Sequence, residues 1–174
     1  MSSTWQNLLK DRLQLFGHRN WLAIVDSAYP AQSRIGLETI VADEEQLAVL
    51  VKIFKILHEY KHVRPTIYTD AELIFVSEED APGISSYRKQ LSDLLSGHDV
   101  RDLLHEQIMS RLDGIGELFQ VLLIKTKMRI PYTSVFFELE CGYWNTPAED
   151  RLRAAMRARI QELDVLGVSE GPIR

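Results

Sequence analysis

Apolar residues recur at helical spacing from the start of the chain. Trp5, Leu8, Leu9, Leu13 and Phe16 line one face, and Gly17 supplies a stop, which predicts a helix over 4–16. The pattern then changes. WLAIV at 21–25 is an unbroken apolar run with a turn after it, the form of a strand buried on both faces in a parallel or mixed sheet. LETIV at 37–41 reads as a second strand, and Asp43 is placed to cap a helix over 44–60 whose stripe is Leu47, Leu50, Val51, Phe54 and Leu57. TIYT at 66–69 and ELIFVS at 72–77 read as strands, and 84–95 and 99–112 as helices parted by Ser96-Gly97. FQVLLIKT at 119–126 and YTSVFFELE at 132–140 are strands joined by KMRIP alone, so the simplest pairing is an antiparallel hairpin. A last helix opens with Thr146 as cap and Pro147 at its first position, with Leu152, Ala155, Met156, Ile160 and Leu163 as its stripe. Strands alternating with helices define an α/β protein. A single domain is expected over 1–174, with its core at about 4–141 and a helical extension over 146–166.

Composition narrows the partners. With 174 residues, a net charge of −5 and a pI of about 5.5, the chain lacks the basic footprint of a nucleic-acid binder and is ill suited to an anionic membrane. No apolar run approaches a bilayer span, and the N-terminal stretch carries charges inside its apolar pattern, unlike a signal peptide. Cys141 is alone, so no intrachain disulfide and no cysteine-based zinc site can form. A cytoplasmic protein acting on a neutral small molecule or a protein partner is expected.

The common catalytic signatures are missing. DGIGEL at 113–118 lacks the third glycine of a dinucleotide fingerprint, and no Walker, GxSxG or HExxH sequence occurs. His58 and His62 are spaced as metal ligands on one helix face, but no third ligand accompanies them, and cations at a helix end meet its dipole favourably. No metal or cofactor is expected.

One stretch carries sharper chemistry. In GHRNWLAIVDSAYP, residues 17–30, a histidine precedes the apolar strand and an aspartate follows it. An extended segment of that length holds His18 and Asp26 some 25 Å apart, too far to act together in one subunit unless the loop folds back. The stretch resembles the RbsD/FucU family of ribose pyranases and fucose mutarotases, which carry Gly-His before a hydrophobic strand ending in Asp-Ala-x-x-Pro. Gly17, His18, Asp26 and Pro30 match, with Ser27-Ala28-Tyr29 between. The family's second block, an apolar strand ending in Thr-Gly-Glu and then Tyr-x-Asn, is similar to FQVLLIKTKMRIPYTSVFFEL. There Thr126 and Tyr132 match, Lys127 and Met128 replace Gly-Glu, and Ser134 replaces the asparagine.

The resemblance implies a three-layer α/β/α domain with a mixed, mostly parallel central sheet. It implies a cofactor-independent isomerase that opens and closes the ring of a fucose- or ribose-like monosaccharide, in homo-oligomeric rings (pentamers or decamers) with the site at a subunit interface. His18 would be the acid–base residue and Asp26 would orient it or hold sugar hydroxyls. Tyr132 and Ser134 would bind substrate, and Arg34 is a further candidate for ligand binding. The family adds a histidine or tyrosine from the middle region, for which His98, His105, Tyr68 and Tyr87 all stand open. The altered second block leaves a non-catalytic sugar-binding or regulatory protein on the same fold as the alternative.

Overall fold

The computed structural model describes residues 4–165, except the side chains of Leu163 and Asp164; position 166 of the expected C-terminal extension lies outside it. By its contacts the chain divides into two units, Met1–Cys141 and Gly142–Arg174.

The first unit contains α1 (Thr4–Leu15), β1 (Trp21–Val25), β2 (Leu37–Val41), α2 (Gln46–Glu59), β3 (Val63–Asp70), α3 (Ile84–Leu95), β4 (Val100–Leu103), α4 (His105–Leu118), β5 (Val121–Lys125) and β6 (Val135–Cys141). The strands form one sheet in the order β2-β5-β1-β6-β3-β4. Every neighbouring pair is parallel except those made by β6, which runs antiparallel to β1 and β3. Alternation along the central strands builds two cores. Leu22, Ile24, Leu122, Ile124, Phe137 and Leu139 pack under α1, α2 and α3. Trp21, Ala23, Val25, Val121, Leu123 and Phe136 face α4 on the opposite side. This is why β1 and β5 read as unbroken apolar runs: both of their faces are covered. The result is the three-layer, mostly parallel α/β/α arrangement.

Several local expectations are corrected. β5 and β6 do not form a hairpin, because β1 lies between them and pairs with both. The connecting segment 126–134 therefore crosses the end of β1, where the Ser27 amide donates to the Met128 carbonyl at 2.8 Å. The stretch 72–77 is not a strand: Ala71–Phe75 form a short 3-10 turn that breaks out of β3. Within 99–112 the first residues pair as the edge strand β4 before α4 begins, a parallel ladder with β3 that local periodicity does not reveal. Glu45, not Asp43, precedes α2; Asp43 sits in a left-handed conformation with φ 51°. The buried face of α2 is centred on Val49, Leu50, Ile53, Ile56 and Leu57, which leaves Val51 exposed.

In the second unit α5 (Thr146–Val165) is a single helix whose Leu152, Met156 and Ile160 are exposed. The Asn145 side chain accepts from the Ala148 amide at its start, taking the capping role expected of Thr146. Among the described residues no helix is long and apolar enough to cross a membrane.

Candidate active site

The strand order opens a crevice. The chain leaves the carboxyl end of β1 toward β2 at one edge, and leaves that of β3 toward β4 at the other. Connections that diverge in this way leave a gap at the carboxyl ends of the strands, the usual ligand position in open α/β sheets. Here the gap lies over the start of β6. A cleft of about 690 Å³ occupies it, lined by residues 26–30, Gln32, His105, Met109 and 129–132.

Each functional group in the cleft is placed by an element end. Asp26 follows the last residue of β1, and its Oδ1 accepts the Ala28 amide at 2.7 Å, an Asx turn that fixes the carboxylate. His105 is the first residue of α4; its amide donates to Glu72 Oε1 and Oε2, both at 3.0 Å, so the 3-10 turn after β3 caps the helix. The His105 Nδ1 lies 3.1 Å from Oδ1 of Asp70, the last residue of β3. A carboxylate only accepts, so Nδ1 carries the proton and Nε2 is the unprotonated nitrogen, with no hydrogen-bond partner among the described residues. The Asp70 side chain is wholly buried and its Oδ2 has no partner. That burial raises its pKa above the ordinary value; the His105 bond pulls it back, and Glu72 and Asp26 add repulsion. Tyr132 stands edge-on to the His105 ring, with centroids 5.7 Å apart, and holds a left-handed φ of 58°. Below them Tyr29 is buried against α4. Desolvation first, then the Asp113 and Asp70 charges, push its phenol up to about 12, so it stays protonated.

The loop bearing Tyr132 is clamped from beneath. Gln46 and Tyr87 both donate to the Thr133 carbonyl, Tyr87 at 2.9 Å, and Thr133 Oγ1 donates to Ile130 O at 2.7 Å. Thr126 Oγ1 donates to Val25 O at 2.9 Å. These bonds satisfy groups that would otherwise be buried unpaired, and they fix the loop between β5 and β6 on a rigid base.

The sequence-derived candidates separate. Asp26 and Tyr132 converge in the cleft with His105. His18 does not join them within one chain. It lies in the exposed turn before β1, where Arg19 Nε approaches its Nε2 at 3.3 Å, and β1 alone spans roughly 16 Å between it and Asp26. Ser134, two residues after Tyr132, is buried and does not line the cleft. Arg34 is spent on α4: its guanidinium donates to Asp113 O at 2.5 Å and lies 3.7 Å from Glu117. It ties down the crossover from β1 to β2. Of the middle-region candidates only His105 enters the cleft. Tyr87 supports the loop, His98 stacks on Phe54 at 4.5 Å, and Tyr68 bonds Glu138 at 2.8 Å on the α4 face. Asp70 escaped sequence reasoning; an acidic residue ending a strand, with a histidine opening a later helix, was its only signal. His62 takes no part in a metal site. Its Nε2 meets the Leu13 and Phe16 carbonyls at 3.1 and 3.0 Å and closes the end of α1. Among the described residues no cluster could hold a metal ion.

Neither a protein-family model nor a curated protein matches the chain. Solved structures do. Bacillus subtilis RbsD complexed with D-ribose has a TM-score of 0.54 at 19% identity, over 80% of this chain and 96% of that one. The fucose mutarotase from Streptococcus pneumoniae, in complex with L-fucose, has a TM-score of 0.51 at 19% identity, over 77% and 91%. FucU from Bifidobacterium longum has a TM-score of 0.51 at 14% identity, over 77% and 92%. These likenesses agree with the mixed α/β/α architecture. The chain has the RbsD/FucU fold.

Proposed function

We propose that this protein is a cofactor-independent isomerase that opens and recloses the ring of a monosaccharide. The observation that carries the reading is the convergence of Asp26, Tyr132 and the His105–Asp70 pair in one cleft at the carboxyl ends of the strands. Ring opening removes the proton of the anomeric hydroxyl, delivers a proton to the ring oxygen and breaks the bond between that oxygen and the anomeric carbon. After rotation the reverse transfer closes a new anomer or ring size. Histidine suits such an exchange because its ordinary pKa lies near neutrality. His105 shuttles the proton through Nε2, while buried Asp70 holds Nδ1–H and steadies the ring as it charges. Asp26 accepts sugar hydroxyls, and the Tyr132 phenol donates to or accepts from the oxygens at the reacting end.

His18 enters this scheme through assembly. In a homo-oligomeric ring, the exposed turn of one copy can reach the cleft of the next. Two-dimensional exchange NMR on ribose, fucose and galactose tests the catalytic reading: faster interconversion with protein than without supports it, and equal rates for every sugar tried refute it.

The second reading is a sugar-binding protein without turnover. It is favoured by the burial of Ser134, which withdraws a hydroxyl-binding side chain from the cleft, and by Lys127-Met128 in the altered block. A sugar-dependent rise in melting temperature with no exchange would select it.

A further inference from the structure

The lining of the cleft carries a cation without a protein partner among the described residues. Every other arginine of the first unit meets a carboxylate, carbonyl, hydroxyl or ring among the described residues, as Arg34 does with α4 and Arg111 with Tyr68. Arg129 has no such partner among them, although it lines the cleft of Asp26, His105 and Tyr132. Its orientation is imposed by the chain. Met128 and Ile130, on either side, pack against the core under α1, α2 and α3. The Met128 carbonyl accepts from Ser27 and the Ile130 carbonyl accepts from Thr133. With both neighbours anchored inward, the residue between them is turned out to solvent, and its exposed guanidinium stands on a fixed base.

Arg129 also marks a junction. Ser27, Arg129 and Ile130 line both the main cleft and an adjoining one of about 620 Å³, which contains Lys127 as well. Lys127 reaches the exposed Asp43 at 3.4 Å, a surface contact of little strength. Asp26 in the main cleft and Asp43 and Glu45 in the adjoining one repel an anion placed beside them, so a negative group on a sugar is best accommodated at the Arg129 guanidinium between them. A guanidinium binds carboxylate and phosphate alike through paired N–H donors.

We propose that Arg129 is a specificity-determining residue and that the cleft takes a monosaccharide bearing an exocyclic carboxylate or phosphate. Which end of the sugar meets His105 rests on the ring-opening reading; the anion preference is measured without it. The experiment uses two matched pairs, D-galacturonate with D-galactose and D-glucose 6-phosphate with D-glucose, in binding titrations and in exchange NMR. Support is tighter binding of at least one anionic member than of its neutral partner, with the anionic-to-neutral preference falling roughly tenfold or more in Arg129→Gln. The two pairs tell carboxylate from phosphate. Equal binding within both pairs overturns the inference, and so does a preference that survives Arg129→Gln. If neutral sugars are turned over while the anionic preference is absent, ring opening stands and the anion site falls. An Arg129-dependent preference in binding with no accelerated exchange of any sugar leaves the anion site standing and refutes turnover.

Discussion

Replacing Asp70 by Asn separates what the buried carboxylate does for chemistry from what it costs the fold. The substitution keeps shape and leaves an amide oxygen to accept from His105 Nδ1, now 3.1 Å from the carboxylate. What it removes is the negative charge facing an imidazole that becomes positive as it takes a proton. A hydrogen bond to a charged group is worth about 1.5–3 kcal/mol, so kcat for ring exchange should fall roughly 10- to 150-fold. KM should change little, because the lost interaction strengthens only as charge develops and Asp70 does not line the cleft. Stability should move the other way. The carboxyl titrates above its ordinary 3.8, chiefly because burial penalises its charge. A folded-state pKa raised in this way means that the folded chain holds the proton more tightly than the unfolded chain. Stability is therefore fully present below about pH 4 and falls as pH rises through the folded value, leaving the ionised carboxylate as a standing cost at neutral pH. Asn does not titrate, so relative to the native protein the variant should be more favourable at pH 7 than at pH 3. Exchange NMR gives kcat and KM, and urea melts at the two pH values give stability. Unchanged kcat in Asp70→Asn, or a loss confined to KM, would refute the orienting role.

Further outcomes test other parts of the structure. Gly36→Ala should destabilise the fold by about 1–3 kcal/mol in urea melts, because its Cβ would collide with the Gly116 carbonyl and meet Phe119 O at 2.8 Å, both backbone atoms. Glu78 is held down to about 2, first by the Gly83 amide, then by the Ser85 amide and hydroxyl. Its stabilisation is present above its ordinary 4.5 and is lost as pH falls toward 2, so Glu78→Gln should flatten that part of the stability profile in melts at pH 5 and 2.5. Mixing inactive His18→Ala and Asp26→Asn subunits should restore part of the exchange activity if the two residues meet across an interface. No recovery from mixed assemblies, shown to have formed by native mass spectrometry, would place His18 outside the site.

The sequence alone fixed what short-range physics fixes. The run at 21–25 announced a strand covered on both faces, because apolar side chains at consecutive positions need a core above and below, and 119–126 announced a strand without saying what covers it. The stripe of α1 and the turn after Asp26 were equally local. The pairing of strands was not. A nine-residue connection between β5 and β6 permits a hairpin, and only β1's place between them, paired with both, excludes it. The candidate site followed the same division. Asp26 and Tyr132 lay in recognisable stretches, whereas His105 was one of several open candidates. Its selection depended on Asp70, 35 residues earlier, ending a strand beside the start of α4. That contact exists because β3 and β4 run parallel, which brings the end of one and the helix after the other to the same edge of the sheet. The same sheet carries His18 and Asp26 at opposite ends of β1. Residues joined in one sequence motif are parted by a rigid strand, and residues far apart in sequence are joined by the crevice at its end, since strand direction and order decide which chain ends share a surface.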